Sequence, residues 1–367
     1  MSEKTIKRIG ILTGGGDCPG INAVIRAVTK TAMFDHGWEC FGIADGFLGL
    51  IENRIHPLSA GDVSNILTRG GTILGTSNKA NPERFAVGTD ARGELIFKDV
   101  RDKCVEHYNA HGLDALVVIG GDGSMSCAGG LIPKGVRCVG VPKTIDNDLM
   151  HTHITFGFQT AVEVGTEAID RIHTTAASHH RIMVVELMGR NAGWLTLFAG
   201  IASGADIILI PEIPYDIGKL CEFCKDRMKH HHRSTIVAVS EGAKPLGGKQ
   251  FVQQTIADSP DPVRLGGIAP VLARQLEMCS GFESRSVVLG HVLRGGTPVS
   301  SDRVLATRLG HKAIELLAEG KFNQLVVVQH GQMTSVPVEE VANRQRLVPK
   351  EHDLVRAARA VGTCFGD

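Results

Sequence analysis

Short runs of large apolar residues recur along the chain, and segments with helical spacing of apolar positions separate nearly all of them. The strand-like runs, rich in Val and Ile, are KRIGILT, WECFGIA, DALVVIGG, VRCVGVP, RIMVVELM, DIILIP, STIVAVSEG, SVVLGHV and QLVVVQH. The segments with helical periodicity between them are 21–35, 99–111, 159–177, 194–203, 265–280 and 303–319. This alternation predicts an α/β fold, with mostly parallel sheets flanked by helices on both faces.

Glycine is concentrated where the predicted strands end. The chain has 44 glycines, and many lie in the segments TGGGDCPG, IGGDGS, ELMGRNAGW, SEGA and VLRGG. In open parallel sheets the ligand crevice lies outside the carboxyl ends of the strands. Glycines and polar groups collected at those ends therefore predict a ligand site there.

Length and charge limit the class of protein. A chain of 367 residues exceeds one ordinary core, so two lobes are expected, with a boundary near Phe156 to Gln159 where the charged motifs change character. Lys+Arg and Asp+Glu both number 39, and this zero net charge argues against a general binder of nucleic acid or of membrane surfaces. No secretion signal or apolar run of membrane-spanning length is found, so we expect a soluble cytoplasmic protein.

Nine scattered cysteines, an odd number without framework spacing, favour reduced thiols over a disulfide scaffold. Cys221 and Cys224 form a CxxC that His230, His231 and His232 follow, which is one pattern of a zinc or redox site. The same segment, IGKLCEFCKDRMKHHH, also has the periodicity of an amphipathic helix. Cysteines three residues apart then share one buried face, and we favour this interpretation.

Two glycine-rich turns have the chemistry of a phosphate site. Gly14, Gly15 and Gly16 follow the first strand and precede a helix, so backbone amides and the helix dipole can face an anion. In IGGDGS, Asp122 lies at a strand end between glycines. A carboxylate there can hold Mg²⁺ against substrate phosphates, and Gly123 lets a polyphosphate approach the chain. A tight turn and a helix-capping Asp are the structural alternatives.

The segment VPKTIDNDL places Asp146 and Asp148 on either side of Asn147. On an extended loop, carboxylates two residues apart point the same way, and a metal ion, a cation or a shared proton must offset their repulsion. Phosphoryl transfer uses such a set, because one Asp accepts a hydroxyl proton while basic residues and Mg²⁺ neutralise the transferred group.

Basic residues occur beside the later glycine-rich turns, at or near strand edges. They are Arg181, Arg190, Arg285, His291 and Arg294. A solvated surface arginine is the alternative at each position. Because the guanidinium group matches phosphate as a bidentate fork, their repeated placement indicates anion binding.

In this order and over nearly the whole chain, GGDGS, PKTIDND, ELMGRNAGW and GHVLRGG resemble the bacterial-type 6-phosphofructokinase family. The resemblance implies two Rossmann-like lobes, a donor lobe at 1–157 plus 296–367 and a fructose 6-phosphate lobe at 158–295. It implies Mg²⁺-dependent transfer of the γ-phosphoryl group of ATP to the 1-hydroxyl of fructose 6-phosphate, which gives fructose 1,6-bisphosphate in glycolysis. It also implies a homodimer or a homotetramer.

The same resemblance assigns roles to residues. Asp146 is the implied base, Thr144 contacts the transferred phosphoryl group, and Arg190 stabilises its charge. The implied metal ligands are Asp122 and Asp148. The donor site comprises Gly15, Asn78, Lys79, Gly121, Asp122, Gly123 and Ser124. The sugar-phosphate pocket comprises Thr144, Ile145, Asp146, Met188, Gly189, Arg190, Glu241, His291, Val292, Leu293 and Arg294, with Arg181 and Arg285 from a neighbouring subunit.

The phosphoryl donor has a mixed signature. Gly123 matches family members that use ATP, whereas members that use pyrophosphate typically have aspartate at this position. Lys143 is shared with the pyrophosphate users. Gly123 has the greater weight, because an aspartate at this position would exclude ATP by its size and charge. A lysine near phosphate, in contrast, can serve either donor. Asn78 stands where many ATP users have arginine, so Lys79 must supply the charge.

Two other functions compete with this interpretation. An NAD or lipid kinase also uses a GGDG strand end for nucleotide phosphate, but it would not explain PKTIDND together with GHVLRGG. A catalytically idle sugar-phosphate sensor could have the same fold. The joint presence of Asp122, Asp146, Asp148 and Arg190 argues against it.

Overall fold

The structure is a computed structural model that describes residues 6–230, 234–255 and 263–367. Its strands are β1 (Arg8–Thr13), β2 (Glu39–Ile43), β3 (Ile55–Leu58), β4 (Phe85–Thr89), β5 (Leu95–Lys98), β6 (Ala115–Gly120), β7 (Cys138–Pro142), β8 (Ile182–Leu187), β9 (Ile207–Leu209), β10 (Thr235–Ser240), β11 (Val252–Thr255), β12 (Val263–Leu265), β13 (Ser284–Val288), β14 (Gln324–Gln329) and β15 (Gln332–Pro337). Its α-helices are α1 (Ile21–His36), α2 (Phe47–Glu52), α3 (Arg101–Ala110), α4 (Asp122–Leu131), α5 (Phe158–His179), α6 (Trp194–Ala202), α7 (Ile217–Lys229), α8 (Ile268–Ser280), α9 (Ser300–Ala318) and α10 (Asp353–Ala360).

The larger sheet has seven strands in the order β15-β14-β7-β6-β1-β2-β3. The five central strands are parallel, and only β15 and β3 at the edges are antiparallel. Strand β6 shows why the sequence adopts this fold: Val117 and Ile119 pack in a core with α1 and α9, whereas Leu116 and Val118 pack in a core with α2, α3 and α4. Each such fully buried side chain stabilises the fold by about 1.5–3 kcal/mol.

The smaller sheet has four parallel strands in the order β13-β8-β10-β9. In β8, Val185 and Leu187 join the core cluster that also includes Val117 of the larger sheet, while Ile182 and Val184 pack against α7 and α8. Both sheets therefore have apolar layers on both faces, and one core cluster runs continuously from one sheet to the other.

The predicted mostly parallel α/β architecture is confirmed, and all nine predicted strands are present. The strand predicted over SVVLGHV is wrong in its second half, because Gly290, with φ 52°, starts a short 3₁₀-helix that ends at Arg294. Helix α8 begins at Ile268, after two glycines with positive φ, and not at Leu265. The hairpins β4–β5 and β11–β12 were not predicted, and the residues of β4 and β5 are partly exposed and lack a strong apolar alternation.

The last residues of the chain pack on the smaller sheet. Cys364 forms a parallel bridge with Ile207 in β9, and the Asp216 amide donates to the Gly366 carbonyl at 2.7 Å. His352, just before α10, makes an edge contact with the Trp194 ring at 5.0 Å between centroids. The segment that follows β15 therefore crosses from the larger sheet to the smaller one.

The preference for reduced thiols over a disulfide scaffold is wrong for one pair of cysteines. Cys221 of α7 and Cys279 of α8 form a disulfide, with their Cα atoms 6.0 Å apart. Residues 221 and 279 are 58 positions apart, so no local spacing announces this pair. Cys224 is free and buried on the same helix face as Cys221, which confirms the amphipathic helix. His231 and His232 lie outside the described residues.

Residues 6–230, 234–255 and 263–367 lack two features, a membrane-spanning helix and a metal-binding cluster. None of the helices there combines the length and the apolarity required to cross a bilayer. The same part of the chain contains no cluster of three or more His, Cys, Asp or Glu side chains arranged to hold a metal ion.

Candidate active site

The turn after β1 is fixed by hydrogen bonds from neighbouring segments. Gly14 donates its amide to the Ile119 carbonyl at 2.9 Å, and Gly15 has a φ of 76° that favours glycine. The Thr76 hydroxyl donates to the Gly15 carbonyl at 2.5 Å. Asn78 and Lys79, both exposed, follow Thr76 closely. The structure thus brings these predicted donor residues to the glycine-rich turn.

Helix α4 begins at Asp122, and the alternative that Asp122 only caps this helix is not supported. Gly121 is the N-cap residue, and no side-chain cap bond is formed. The Asp122 carboxylate instead accepts a hydrogen bond from the Gln345 amide at 3.4 Å. Ser124 is buried and lies so close to Gly14 that a Cβ on that glycine would be 2.5 Å from the serine hydroxyl. The turns after β1 and β6 therefore pack directly on each other.

Neither the backbone conformation nor the packing at position 123 requires a glycine. It is exposed, its φ lies outside the left-handed region, and a Cβ added there would meet no atom within 4 Å. The space above the start of α4 is thus open because Gly123 has no side chain. This is the arrangement expected where a ligand approaches the backbone.

Lys143, at the end of β7, is buried with 5% of its surface exposed. Its ammonium group donates to the Gly16 carbonyl, and its backbone amide donates to the Gly120 carbonyl at 3.0 Å. Burial lowers the pKa of the Lys143 side chain. One residue therefore connects the carboxyl ends of β1, β6 and β7.

The loop that contains Asp146 and Asp148 is not extended, so the geometry assumed for it was wrong. Asn147 between them is left-handed, with a φ of 51°. Its side-chain oxygen accepts from the Thr155 amide at 3.0 Å, and the Asp146 amide donates to the Thr144 hydroxyl at 3.0 Å. Asparagine tolerates this conformation better than most residues. The loop is a tight turn that local hydrogen bonds define.

Three carboxylates nevertheless lie within electrostatic reach of one another, because Asp122, Asp146 and Asp148 affect the pKa values of this loop. Burial raises the pKa of Asp146, and the charge of Asp122 acts in the same direction against those of Arg294 and Lys143. Burial, Asp146 and Asp122 together raise the pKa of Asp148 to about 8. One buried Asp146 oxygen, Oδ1, has no hydrogen-bond partner in the structure. Such a pocket favours a bound cation or a proton donor.

The ends of β8 and β10 bring residues of the smaller sheet to this pocket. Gly242 packs so closely on the Arg190 carbonyl that a Cβ there would be 1.9 Å away, and the Gln250 side chain donates to the same carbonyl at 2.9 Å. Burial first, and the charge of Asp146 second, raise the pKa of Glu241 to about 7. Met188 and Gly189 immediately precede Arg190. Glu241 therefore lies within electrostatic reach of the proposed base.

The 3₁₀-helix Gly290–Arg294 connects the two sheets. Leu293 is fully buried and anchors it, whereas His291 and Val292 are exposed. The Arg294 guanidinium lies against the turn after β1, since a Cβ on Gly16 would be 2.3 Å from it. Arg294 also acts on the pKa of Asp146 and Glu241.

A cavity of about 930 Å³ adjoins the pocket on the other side. It is lined by Asn191, which follows Arg190, by Gln250, which holds the Arg190 carbonyl, and by Gln345, which contacts Asp122. Residues that contact Asp122 and the Arg190 carbonyl thus line a common cavity.

Two predicted site residues are not brought to this pocket within one chain. Arg181 precedes β8 and Arg285 is the second residue of β13, so both lie at the amino ends of strands whose carboxyl ends form the site. Six strand residues separate the two edges by about 20 Å. Both arginines pair with Glu283, Arg181 at 2.9 Å.

Sequence reasoning missed the segment 343–348. Arg346 donates to the Asn147 carbonyl at 2.7 and 3.2 Å, and Gln345 contacts Asp122. The segment NRQRLV follows no predicted strand and contains no glycine, so no signal connected it to the site.

Comparison with known proteins identifies the family. A family model described as phosphofructokinase matches residues 8–317. The chain belongs to the phosphofructokinase family. This confirms the resemblance that the four motifs indicated, and it excludes an NAD or lipid kinase as the family of this chain.

Individual relatives of this phosphofructokinase differ in the donor that their names state. An "ATP-dependent 6-phosphofructokinase 2" of Clostridium perfringens is 51% identical over 363 residues, which are 99% of each chain. A "Pyrophosphate--fructose 6-phosphate 1-phosphotransferase" of Amycolatopsis mediterranei is 45% identical over 344 residues, which are 94% of this chain and 97% of that one. The crystal structure of Pichia pastoris phosphofructokinase in the T-state superposes with a TM-score of 0.76 at 31% identity, over 93% of this chain and 36% of that one.

The buried Glu241 should make the stability of the ligand-free protein depend on pH. A carboxyl with a raised pKa binds its proton more tightly in the folded chain, so its contribution to stability is lost as pH rises from 4.5 to about 7. We expect Glu241→Gln to raise the free energy of unfolding by about 1–3 kcal/mol at pH 8. At pH 5 the difference should nearly vanish.

The measurement is thermal and denaturant unfolding of the metal-free protein at both pH values. Glu222→Gln, on an exposed position of α7, is the matched control for loss of a carboxylate. An equal effect of Glu241→Gln at pH 5 and pH 8 would contradict the burial of a charge at this position.

Proposed function

We propose that this protein is an ATP-dependent 6-phosphofructokinase. It transfers the γ-phosphoryl group of ATP to the 1-hydroxyl of fructose 6-phosphate and releases fructose 1,6-bisphosphate and ADP, a step of glycolysis. The observation that supports this most strongly is the meeting of Asp122, Asp146 and Asp148 with Lys143 and Arg294 between the strand ends of two sheets. The names of most close relatives support the same activity.

Asp146 acts as the general base in this proposal. Its buried Oδ1 has no protein partner and can accept the proton of the sugar hydroxyl as the oxygen attacks phosphorus. Burial raises its pKa and so makes it a stronger base than a solvated aspartate. The nearby charges of Arg294 and Lys143 act in the opposite direction and favour its ionised form.

Arg190, Thr144 and Lys143 stabilise the transferred group. Phosphoryl transfer requires positioning and neutralisation of charge more than covalent chemistry. Lys143 supplies a buried cation beside the turn after β1, and Thr144 lies next to the base. Gly15, Gly121 and Ser124 form the backbone turns that hold the donor phosphates, with Asn78 and Lys79 at their rim.

Mg²⁺ fits the donor set of this pocket. Carboxylate oxygens are its preferred protein ligands, and Asp122 and Asp148 would hold it. Burial first, and then the charges of Asp146 and Asp122, raise the pKa of Asp148, and a bound cation would relieve the repulsion between the carboxylates. When bound, the ion would neutralise charge on the donor phosphates.

The pocket for fructose 6-phosphate combines two groups of residues in this proposal. One chain contributes Ile145, Met188, Gly189, Arg190, Glu241, His291, Val292, Leu293 and Arg294. A second copy contributes Arg181 and Arg285, whose place at the opposite strand ends supports a function in a neighbouring site. The active form is therefore a homodimer or a homotetramer.

We retain the division into a donor lobe, 1–157 plus 296–367, and a sugar-phosphate lobe, 158–295. Apart from the hairpins β4–β5 and β11–β12, the strands of each lobe belong to one sheet, which supports the division. Within the donor lobe, the residues after Arg346 cross to the smaller sheet.

Pyrophosphate is the second candidate donor. Lys143 and the Amycolatopsis relative favour it, whereas the open space at Gly123 and the Clostridium relative favour ATP. The deciding experiment is a steady-state assay of the purified protein with fructose 6-phosphate, comparing ATP with pyrophosphate at equal Mg²⁺. Turnover with ATP supports the proposal, turnover with pyrophosphate alone replaces it by the second candidate, and binding without turnover would indicate a sensor.

Replacement of the base should separate chemistry from binding. We expect Asp146→Ser to lower kcat by roughly 10² or more, with little change in the dissociation constant for fructose 6-phosphate. Initial rates and equilibrium binding of the sugar phosphate measure the two effects. A variant that turns over at nearly the wild-type rate would exclude Asp146 as the base.

The donor preference should change at Gly123. An aspartate there places a side chain and a negative charge in the open space above α4, so we expect Gly123→Asp to suppress turnover with ATP at least tenfold, which is about 1.4 kcal/mol. Gly129→Asp is the matched control, because this glycine of the same helix also faces open space. Unchanged turnover of Gly123→Asp with ATP would remove the main reason to prefer this donor.

Sharing of sites between subunits can be tested by complementation. Asp146→Ser and Arg181→Ala chains should each be inactive or poorly active. A co-assembled mixture should recover up to about one quarter of wild-type activity, because half the dimers are hybrids with one intact site of two. If the mixture shows only the averaged activity of the two parents, Arg181 acts within its own chain.

A further inference from the structure

The segment Asn343–Arg346 runs along the candidate active site, although it lies beyond residues 8–317 matched by the family model. Gln345 forms an antiparallel bridge with Leu149, directly after the loop that holds Asp146 and Asp148. The Asn343 side chain and amide both bond to the Ser126 hydroxyl of α4, at 3.0 and 3.2 Å. The segment is therefore fixed to both carboxylate-bearing elements.

Arg346 holds the peptide between the two loop carboxylates. Its Nε and one terminal nitrogen donate to the Asn147 carbonyl at 3.2 and 2.7 Å, and its backbone amide donates to the Asp148 carbonyl at 2.7 Å. Thr155 fixes the Asn147 side chain from the other side. Since Asn147 is left-handed, these bonds stabilise a conformation that the backbone alone disfavours.

The other end of Arg346 is anchored on the smaller-sheet side. The Trp194 indole donates to the Arg346 carbonyl at 2.8 Å, and the Arg346 guanidinium lies 4.4 Å from the centre of the Trp194 ring. Trp194 is the first residue of α6. Arg346 thus connects the catalytic loop of one sheet to a helix beside the other.

The side-chain chemistry explains why this residue is arginine. A planar guanidinium can direct two N–H groups at one carbonyl while its face lies on an aromatic ring. An ammonium group on a lysine stem can provide charge but not this combination. The contacts of Arg346 therefore require the planar geometry of the guanidinium group and not only its charge.

We propose that Arg346 is a positioning residue that fixes the Asn147 peptide, so that Asp146 and Asp148 keep their places in the shared pocket, while Gln345 orients Asp122. This inference rests on the proposed phosphoryl transfer. It assigns to the C-terminal segment a part in the reaction without contact to the sugar phosphate.

The test compares Arg346→Met, which keeps the apolar stem, and Arg346→Lys, which keeps the charge. We expect both to lower kcat by about 10–100-fold, the usual scale for residues that orient metal-binding carboxylates. The KM for fructose 6-phosphate should change less than about threefold, because Arg346 contacts Asn147, Asp148 and Trp194, none of which is assigned to the sugar pocket. Arg344→Ala, on an exposed neighbour in the same segment, should leave both constants unchanged.

Gln345→Ala provides a second variant with a milder effect on packing. It should raise the Mg²⁺ concentration for the half-maximal rate several-fold, with kcat at saturating Mg²⁺ close to wild type. Equilibrium binding of Mg²⁺ to the variant, with no substrate present, should weaken in parallel. This binding measurement also gives a result if an Arg346 variant fails to fold.

Three results would overturn the inference. They are an Arg346→Lys or Arg346→Met kcat within threefold of wild type, a loss confined to KM for the sugar phosphate, and unchanged Mg²⁺ binding in Gln345→Ala. If the wild-type enzyme is active and the variants give any of these three results, only the positioning function is rejected. If the wild-type protein binds Mg²⁺ and all variants fold, but the wild-type protein has no activity, the proposed reaction itself is rejected.

Discussion

The candidate site depends on three carboxylates, Asp122, Asp146 and Asp148, that lie within electrostatic reach of one another at the strand ends. Burial and the charges of Asp146 and Asp122 raise the pKa of Asp148, and burial and the charge of Asp122 raise that of Asp146, so keeping all three ionised costs free energy. Lys143 and Arg294 offset part of this cost. The remainder is an unfavourable electrostatic free energy in the ligand-free protein, which a bound cation and a protonated acceptor hydroxyl would relieve. The electrostatic free energy of the site is therefore more favourable with ligands bound than without them.

The rest of the fold keeps these groups in place against their repulsion. Parallel strands buried on both faces bring the ends of β1, β6 and β7 to one edge, and their apolar side chains supply most of the stability. The smaller sheet adds Glu241 and Arg294 from its own strand ends. A continuous core cluster joins the two sheets, so the halves of the site have a common rigid base. A site of this kind lowers the stability of the fold locally, because the groups required for activity are not those that stabilise it best.

Local patterns were sufficient to predict the architecture and most of the strands, whereas most candidate site residues came from the resemblance of four motifs to a known family. Buried parallel strands are apolar over their whole length, and glycine-rich turns follow them, so both signals are short-range. The missed features depend on long-range contacts. Arg346 meets Asn147 from 199 positions away, and the Cys221–Cys279 disulfide joins two helices. The left-handed Asn147 was missed because an apparently extended DND segment is held as a turn by Thr155 and Arg346.

The most direct test of the central claim is a crystal structure of the protein with fructose 6-phosphate, Mg²⁺ and a non-hydrolysable ATP analogue. The claim is that donor and acceptor meet between the two sheets at the buried carboxylates. We expect the 1-hydroxyl within about 2.6–3.2 Å of an Asp146 carboxylate oxygen, on a line toward the terminal phosphate. A sugar phosphate bound with its 1-hydroxyl away from Asp146, or a donor phosphate in another cavity, would contradict the account.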